Sequence, residues 1–277
     1  MVISIKEALR FAEELFSSFS DEAASEAKIV VSHLTNTPLS QLALSQKTID
    51  SVDIQSIANR RKQGEPLQYI IGKWWFFGGE FFVGEGVLIP RQDTELLVET
   101  GLDLIKDIKN PTVIDLCSGS GCIAVSVALE RADAKVSALE KHSEAFAFLE
   151  KNIHHNKTQN VFASLGDVLD GTNNKYDLIL SNPPYITAQD MKTLQTEVTK
   201  EPETALFGGE DGLFFYREIT RIWKSALNKN GYMAFEVGIG QANAVADIMK
   251  SEGFTNIGIK KDYNGVQRVV FGTPLDI

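Results

Sequence analysis

Asn182-Pro183-Pro184-Tyr185 holds the most chemistry of any stretch in this chain. Two prolines fix two φ angles and remove two N–H donors. The Asn182 side-chain oxygen and the Pro183 carbonyl are then acceptors for one bound group. A planar NH2, with two donors, matches them. Tyr185 adds an aromatic face for a flat group to stack on. An amide or amino nitrogen has a delocalised lone pair and is a poor nucleophile. Two acceptors on its N–H groups hold it in line with an electrophile and stabilise the charge that grows on it. No strong base is needed before attack, because the proton leaves afterwards. A bare turn closing a strand is the plain alternative for the same tetrapeptide.

Upstream, the stretch from Val113 to Ala124 reads as an apolar strand, a turn of small residues and a helix start. In an open parallel sheet, ligands bind beyond the carboxyl ends of the strands. Gly119 and Gly121 allow a close backbone approach there. Glu140 ends the next strand, 21 residues after Gly119, where a carboxylate meets ribose hydroxyls. The turn also fits the G-x-G-x-x-A dinucleotide fingerprint, and a turn without a ligand. Asp115 favours S-adenosylmethionine. A carboxylate there holds loop amides or the ligand's ammonium group, and that ligand has no pyrophosphate to seat on a helix N-terminus. Gly166-Asp167-Val168 follows a further strand, where Asp167 accepts from an adenine amine and the Val168 N–H donates to the ring. The expected cofactor contacts are Asp115, Cys117, Ser118, Gly119, Ser120, Gly121, Glu140, Asp167 and Val168, with Asn182 at the lip. The substrate clamp is Asn182, Pro183, Pro184 and Tyr185, with Asn182, Pro183 and Tyr185 taking part in catalysis.

These residues need a sheet to position them, and the pattern supplies one. From about residue 93, helices at 94–108, 121–131 and 142–156 alternate with strands at 112–116, 135–139, 161–163 and 176–180. Loops and helices fill 187–229. A strand at 232–237, a helix after Gly240 and strands near 255–260 and 267–272 complete the alternation. That order means a mostly parallel sheet with helices on both faces. Residues 1–64 read as a helical bundle from the spacing of Ile5, Ala8, Leu9, Ala12 and Leu15, then Ala27, Val30, Val31 and Leu34. Aromatics around Gly78-Gly79 read as a hairpin, packed as core rather than exposed for docking. A strand at 87–89 is expected to stop at Pro90.

Length and charge bound the function. The 277 residues suit one large domain or two smaller ones, and 43% hydrophobic with 23% charged residues excludes wholesale disorder. A net charge of −10 without a dense Lys/Arg run argues against stable nucleic-acid binding. No signal peptide and no apolar run long enough for a membrane span are apparent, so a cytoplasmic protein is expected. Cys117 and Cys122 are too few for a disulfide framework or a zinc site, and the four histidines, His33, His142, His154 and His155, show no ligand spacing, so no metal is expected.

The sequence resembles the HemK/PrmC family of protein-(glutamine-N5) methyltransferases along essentially its whole length. The resemblance rests on segments 65–72, 87–95, 115–121, 182–185, 201–206 and 262–268. The Leu88-Ile89-Pro90-Arg91-Gln92-Asp93-Thr94-Glu95 segment and the helical N-terminus are its more specific parts. It implies a Rossmann-like α/β class I S-adenosylmethionine-dependent methyltransferase domain, with a mixed, mostly parallel seven-stranded sheet. A small N-terminal helical domain would be joined to it by a β-hairpin. The implied domains are 1–64 for substrate recognition, 65–92 for the hairpin linker and 93–277 for methyl transfer.

The implied substrate is the glutamine of the Gly-Gly-Gln motif in class I peptide chain release factors; a monomer is the default expectation for the chain. Arg91 and Glu95 would lie near the cofactor's methionine end. Four positions depart from the family's usual residues. Cys117 and Ser118 stand for Gly and Thr, Glu140 for Asp, and Val168 for an aromatic. Cys117 is tolerated unless its φ must be positive, where a Cβ is costly. A ribosomal-protein glutamine or an adenine N6 amine in a nucleic acid would fit the same clamp, the latter flipped out of its stack. A binding module with a vestigial fold and a nicotinamide oxidoreductase are the remaining alternatives.

Overall fold

The computed structural model describes residues 1–275, in two compact units. The first is Met1–Gly72 together with Gln195–Lys200. It begins with strand β1 (Val2–Ser4), helix α1 (Ile5–Phe16) and helix α2 (Ala23–Thr35). Strand β2 (Thr48–Asp50), helix α3 (Ser51–Lys62) and the short helix α4 (Leu67–Ile71) follow. Ser4 and Glu7 form a capping box on α1, and the Asp50 side chain caps α3 by accepting from the Val52 N–H. Ala8, Ala12, Phe16, Val30, Val31 and Ile54 fill the core. Arg61 is buried there, its guanidinium donating to Glu26 and pairing with Glu197 at 2.6 Å. The antiparallel β1–β2 pair lies where the sequence pattern gave only helix. The helical core also extends past residue 64, because Leu67 is buried in it.

The second unit is Lys73–Leu194 and Glu201–Ile277. It opens with the hairpin of β3 (Lys73–Phe76) and β4 (Gly79–Phe82). The alternation then runs α5 (Glu95–Leu104), β5 (Thr112–Leu116), α6 (Cys122–Glu130), β6 (Lys135–Glu140), α7 (Ser143–His155), β7 (Val161–Leu165) and β8 (Tyr176–Ser181). It ends with α8 (Phe214–Trp223), β9 (Leu227–Glu236), α9 (Ala242–Ser251), β10 (Phe254–Lys261) and β11 (Gln267–Pro274). The seven-stranded sheet has the order β10-β11-β9-β8-β5-β6-β7. β7 to β9 are parallel through β6, β5 and β8, while β10 and β11 run antiparallel at one edge.

Period-two alternation sorts the strands onto two cores. Val113, Leu178, Ala234 and Val269 face α5, α6 and α7. Their neighbours Ile114, Ile179, Met233 and Val270 face α8 and α9. Both faces are covered, so β5 and β8 read as nearly unbroken apolar runs.

The hairpin is packed, not free. Phe76 and Phe81 are buried in the first of these cores. Asn152 on α7 acts as a strand partner for β4: its Oδ1 accepts from the Phe82 N–H at 2.7 Å, and its Nδ2 donates to the Phe82 carbonyl at 3.0 Å. The same Nδ2 donates to the Ser120 carbonyl at 2.9 Å, tying the hairpin to the loop after β5.

Two sequence expectations fail here. Residues 87–89 form no strand: the Ile89 N–H donates to the Glu201 carboxylate at 3.0 Å instead of to a neighbouring strand, and Pro90 has no N–H to give. β9 starts at Leu227, five residues earlier than the pattern indicated, because its first residue pairs with Tyr176 and the register then shifts past a Lys-Asn-Gly irregularity.

Candidate functional site

The loop after β5 is built from left-handed residues. Cys117, Gly119 and Gly121 have φ of 59°, 53° and 78°. The Ser118 N–H donates to the Leu139 carbonyl at 3.1 Å, and the Gly121 N–H to the Ser118 carbonyl at 2.7 Å. A Cβ on Gly121 would lie 2.3 Å from Leu149 Cδ1, so α7 leaves no room for a side chain. Cys117 therefore occupies a conformation that disfavours any Cβ. Burial pushes its thiol pKa up, with the charges of Glu140 and Asp115 adding to the effect, so it is no thiolate nucleophile.

Asp115 is fully buried and lies behind this loop, outside the cavity lining. Its Oδ2 accepts from the Ala124 N–H in the first turn of α6 at 3.3 Å, and its Oδ1 has no partner. Burial, helped by the charge of Glu140, pushes its pKa up to about 8. Of the two roles expected for Asp115, holding nearby amides or a ligand ammonium, the structure shows a contact of the first kind, to the first turn of α6. Glu140 is also occupied. Its Oε2 accepts from the Gly119 N–H, and its Oε1 accepts from the Lys141 and His142 N–H groups, all at 2.8 Å. A carboxylate has about four acceptor positions, which leaves room for one hydroxyl rather than a pair.

A cavity of about 600 Å³ opens over the strand tips. Cys117, Ser118, Gly119, Ser120 and Glu140 line one end, and Asp167 and Val168 another wall. Asn182 and Pro184 line it as well, whereas Gly121, Pro183 and Tyr185 are set back. Asp167 accepts from the Leu169 N–H at 3.0 Å and pairs with Lys141 at 2.7 Å; burial raises its pKa, but Lys141 and the Leu169 N–H together hold it below the usual value. Apolar groups from Leu88, Leu169, Phe214 and Phe215 complete the surface. Two carboxylates beside an apolar wall suit a ligand with hydroxyls, a flat base and a positive charge. The residues present fit S-adenosylmethionine. Among the described residues there is no His/Cys/Asp/Glu group that could hold a metal ion, and no helix long and apolar enough to cross a membrane.

The Asn182–Tyr185 turn is fixed from several sides. Ser181 Oγ donates to the Leu116 carbonyl at 2.8 Å, pinning the tips of β8 and β5. Asn182 Nδ2 donates to Thr94 Oγ1 at 3.2 Å, and Gln241 Nε2 to the Tyr185 carbonyl at 3.0 Å. The chain returns at Gly208, whose N–H donates to the Ile186 carbonyl at 2.9 Å. The Tyr185 ring packs on the α8/α9 core, and burial pushes its hydroxyl pKa up.

Arg91 lines the cavity and pairs with Glu201, which is 2% exposed at its side chain. Glu95 does not reach the cavity: it accepts from the Phe77 N–H at 2.8 Å, where Phe77 (φ 47°) turns the hairpin. Thr94, Glu201, Gly208 and Glu236 were not singled out from the sequence as parts of this site. Thr94 and Glu201 lie in segments 87–95 and 201–206, on which the family resemblance rested, and that was the signal available for them.

Comparison with known proteins agrees with this architecture. The model of the PrmC N-terminal domain matches residues 7–72, and that of the methyltransferase small domain matches 92–213. A release factor glutamine methyltransferase of Thermodesulfovibrio yellowstonii is 38% identical, over 88% of this chain and 90% of its own. One of Aquifex aeolicus is 33% identical over 93% and 94%. One of Fusobacterium nucleatum is 42% identical over 76% of this chain, and the match spans 60% of that longer protein. In fold alone, the chain is similar to the hMettl16 catalytic domain solved in complex with the MAT2A 3′UTR hairpin 6, with a TM-score of 0.60 at 14% identity over 93% of this chain and 84% of that one. With its two family domains in order and relatives matched along nearly their full length, the chain belongs to the release factor glutamine methyltransferase family.

Proposed function

We propose that this protein transfers a methyl group from S-adenosylmethionine to the side-chain amide nitrogen of the glutamine in the Gly-Gly-Gln motif of class I peptide chain release factors. The observation that carries the reading is Asn182 lining the same cavity as the Cys117–Ser120 loop and Glu140. S-adenosylmethionine, when bound, supplies an electrophilic methyl on a sulfonium. Glu140 accepts one ribose hydroxyl at its remaining lone pair while holding the loop. Asp167 accepts from the adenine amine and the Val168 N–H donates to the ring. Arg91 faces the methionine end.

Asn182 Oδ1 and the Pro183 carbonyl accept the two N–H bonds of the glutamine amide, and Tyr185, set back behind Pro184, supports the wall against which the amide lies. Holding both N–H groups orients the nitrogen lone pair along the line of attack. As the N–C bond would form, the methyl–sulfur bond would break with its electron pair going to sulfur, giving S-adenosylhomocysteine, and the same acceptors would stabilise the positive charge on nitrogen. One N–H proton leaves to solvent afterwards, so no buried base is required.

This reading takes the protein as a cytoplasmic monomer without a metal or a stable nucleic-acid complex. The test is methyl transfer from labelled S-adenosylmethionine to a purified release factor, beside a variant whose Gly-Gly-Gln glutamine is replaced. Label on the normal factor alone is expected. Equal label on both would refute the acceptor assignment, and label on neither would refute the substrate.

A further inference from the structure

An asparagine amide presents either of two ends to a ligand, and only its oxygen accepts from a substrate NH2. Something must therefore set the orientation of Asn182. Its Nδ2 donates to Thr94 Oγ1 at 3.2 Å, and both residues line the cavity. A hydroxyl that accepts from Nδ2 still has one proton to place. Beside it stands Glu236, buried at 2% exposure, with Oε2 lacking any partner, and Thr94 and Asn182 are near enough to favour its charged form. The β8–β9 register pairs Ser181 with Phe235, so Asn182 and Glu236 come next, side by side at the strand tips.

A carboxylate only accepts. With Glu236 at its end, a relay would have one direction: the Thr94 O–H turned toward Glu236, and Asn182 Nδ2 donating to Thr94. Oδ1 is then the end left for the cavity. We propose that Glu236 is a positioning residue which, through the Thr94 hydroxyl, holds the Asn182 amide with its oxygen toward the acceptor nitrogen. This rests on the reading that Asn182 Oδ1 holds the substrate amide. The opposite orientation would set NH2 against NH2 and leave the substrate donors unpaired.

The relay is sensitive to protonation. Burial pushes the Glu236 pKa up to about 7, opposed by Thr94, Arg268 and Asn182, with Asp93 raising it further. The groups facing Glu236 are Arg268 on β11, Asp93 ahead of α5, Tyr185 after β8, Tyr216 on α8 and Cys122 on α6. Once protonated, Glu236 is itself a donor. Thr94 is then free to donate to Asn182 Oδ1, and the amide to turn.

The experiment measures kcat/KM for a release factor and Kd for S-adenosylmethionine in Thr94→Val, Thr94→Ser, Glu236→Gln and the Thr94→Val/Glu236→Gln pair, with Asn182→Ala as reference. Thr94→Val and Glu236→Gln should each lower kcat/KM about tenfold at pH 8, the scale of one hydrogen bond to a charged group, with Kd within about threefold. Thr94→Ser, which keeps the hydroxyl, should recover most of that loss. The pair should be no worse than either single change, because both break one relay. The wild-type profile should rise through about pH 7, and that step should vanish in Glu236→Gln.

Wild-type rates in Thr94→Val, a Thr94→Ser variant as impaired as Thr94→Val, additive losses or a retained pH step would each overturn the proposal. If Asn182→Ala is impaired while Thr94→Val and Glu236→Gln are not, the positioning role alone fails. If Asn182→Ala is as active as wild type, the amide clamp fails with it.

Discussion

Gly208→Ala should cripple turnover without touching the cofactor. A Cβ at Gly208 would sit 2.6 Å from Tyr185 Cα, 2.7 Å from the Pro184 carbonyl oxygen and 2.9 Å from the Tyr185 carbonyl carbon. All three are backbone atoms, so no rotamer change relieves the contact. Ordinary contact begins near 3.4 Å, which requires a displacement of about 0.8 Å at Tyr185 Cα. The Gly208–Ile186 hydrogen bond keeps the returning strand from simply backing away. Overpacking of this kind costs about 1–3 kcal/mol of stability. A shift approaching 1 Å at a positioning element costs about 10²-fold in rate. The expected result is a 10- to 100-fold lower kcat for release factor methylation with S-adenosylmethionine Kd within about threefold, since the Cys117–Gly121 loop and Glu140 do not touch Gly208. Single-turnover methyl transfer and cofactor titration of the folded variant supply both numbers. A variant with wild-type kcat would refute the view that the placement of the Pro184–Tyr185 backbone limits the reaction.

Three further outcomes follow from the same geometry. Glu201→Ala removes the acceptor of both the Ile89 N–H and Arg91, and should cost about 1–3 kcal/mol in denaturant unfolding, discounted because Arg91 is 38% exposed at its side chain; an unchanged midpoint would show that solvent replaces both contacts. Asp115 has its folded pKa raised to about 8 by burial, so between about pH 4 and pH 8 the folded state holds a proton that the unfolded state has released, and stability falls as pH rises. Asp115→Asn should flatten that decline by up to about 1.4 kcal/mol per pH unit, and parallel curves for the two proteins would rule out a buried neutral acid. Tyr185→Ala should raise KM for the release factor and lower kcat, whereas an unchanged KM would remove its part in walling the amide.

The alternation of strands and helices was legible because the central strands β5 and β8 are covered on both faces and helices such as α8 and α9 bury one apolar face. The Asn182–Tyr185 turn and the Cys117–Gly121 loop were legible because proline and glycine constrain backbone wherever they stand. Residues 87–89 were not, since their alternation is that of a strand while the Ile89 N–H is taken by a carboxylate 112 residues away. β1 and β2 are three residues each, too short to show a period. Thr94 became visible only through its hydrogen bond with Asn182, Glu236 only through the β8–β9 register, and Gly208 only through the return of the chain against Tyr185. Asp115 and Glu140 were named from the sequence, but Asp115 lies behind the loop and three of Glu140's acceptor positions go to backbone N–H groups, a matter of side-chain direction that spacing does not encode.

The helical unit is discontinuous in sequence: Gln195–Lys200 belongs to it although the residues on either side belong to the second unit. Recombination at a single crossover therefore cannot exchange it between relatives. A chimera that replaced residues 1–72 alone would bring in a foreign partner for Glu197 in place of Arg61, and a foreign surface against Thr196, whose Cγ2 lies 2.6 Å from where a Cβ on Gly64 would be. Shuffled libraries of this family should accordingly yield folded progeny chiefly when both segments come from one parent, so the two segments are inherited as one block despite the 122 residues between them.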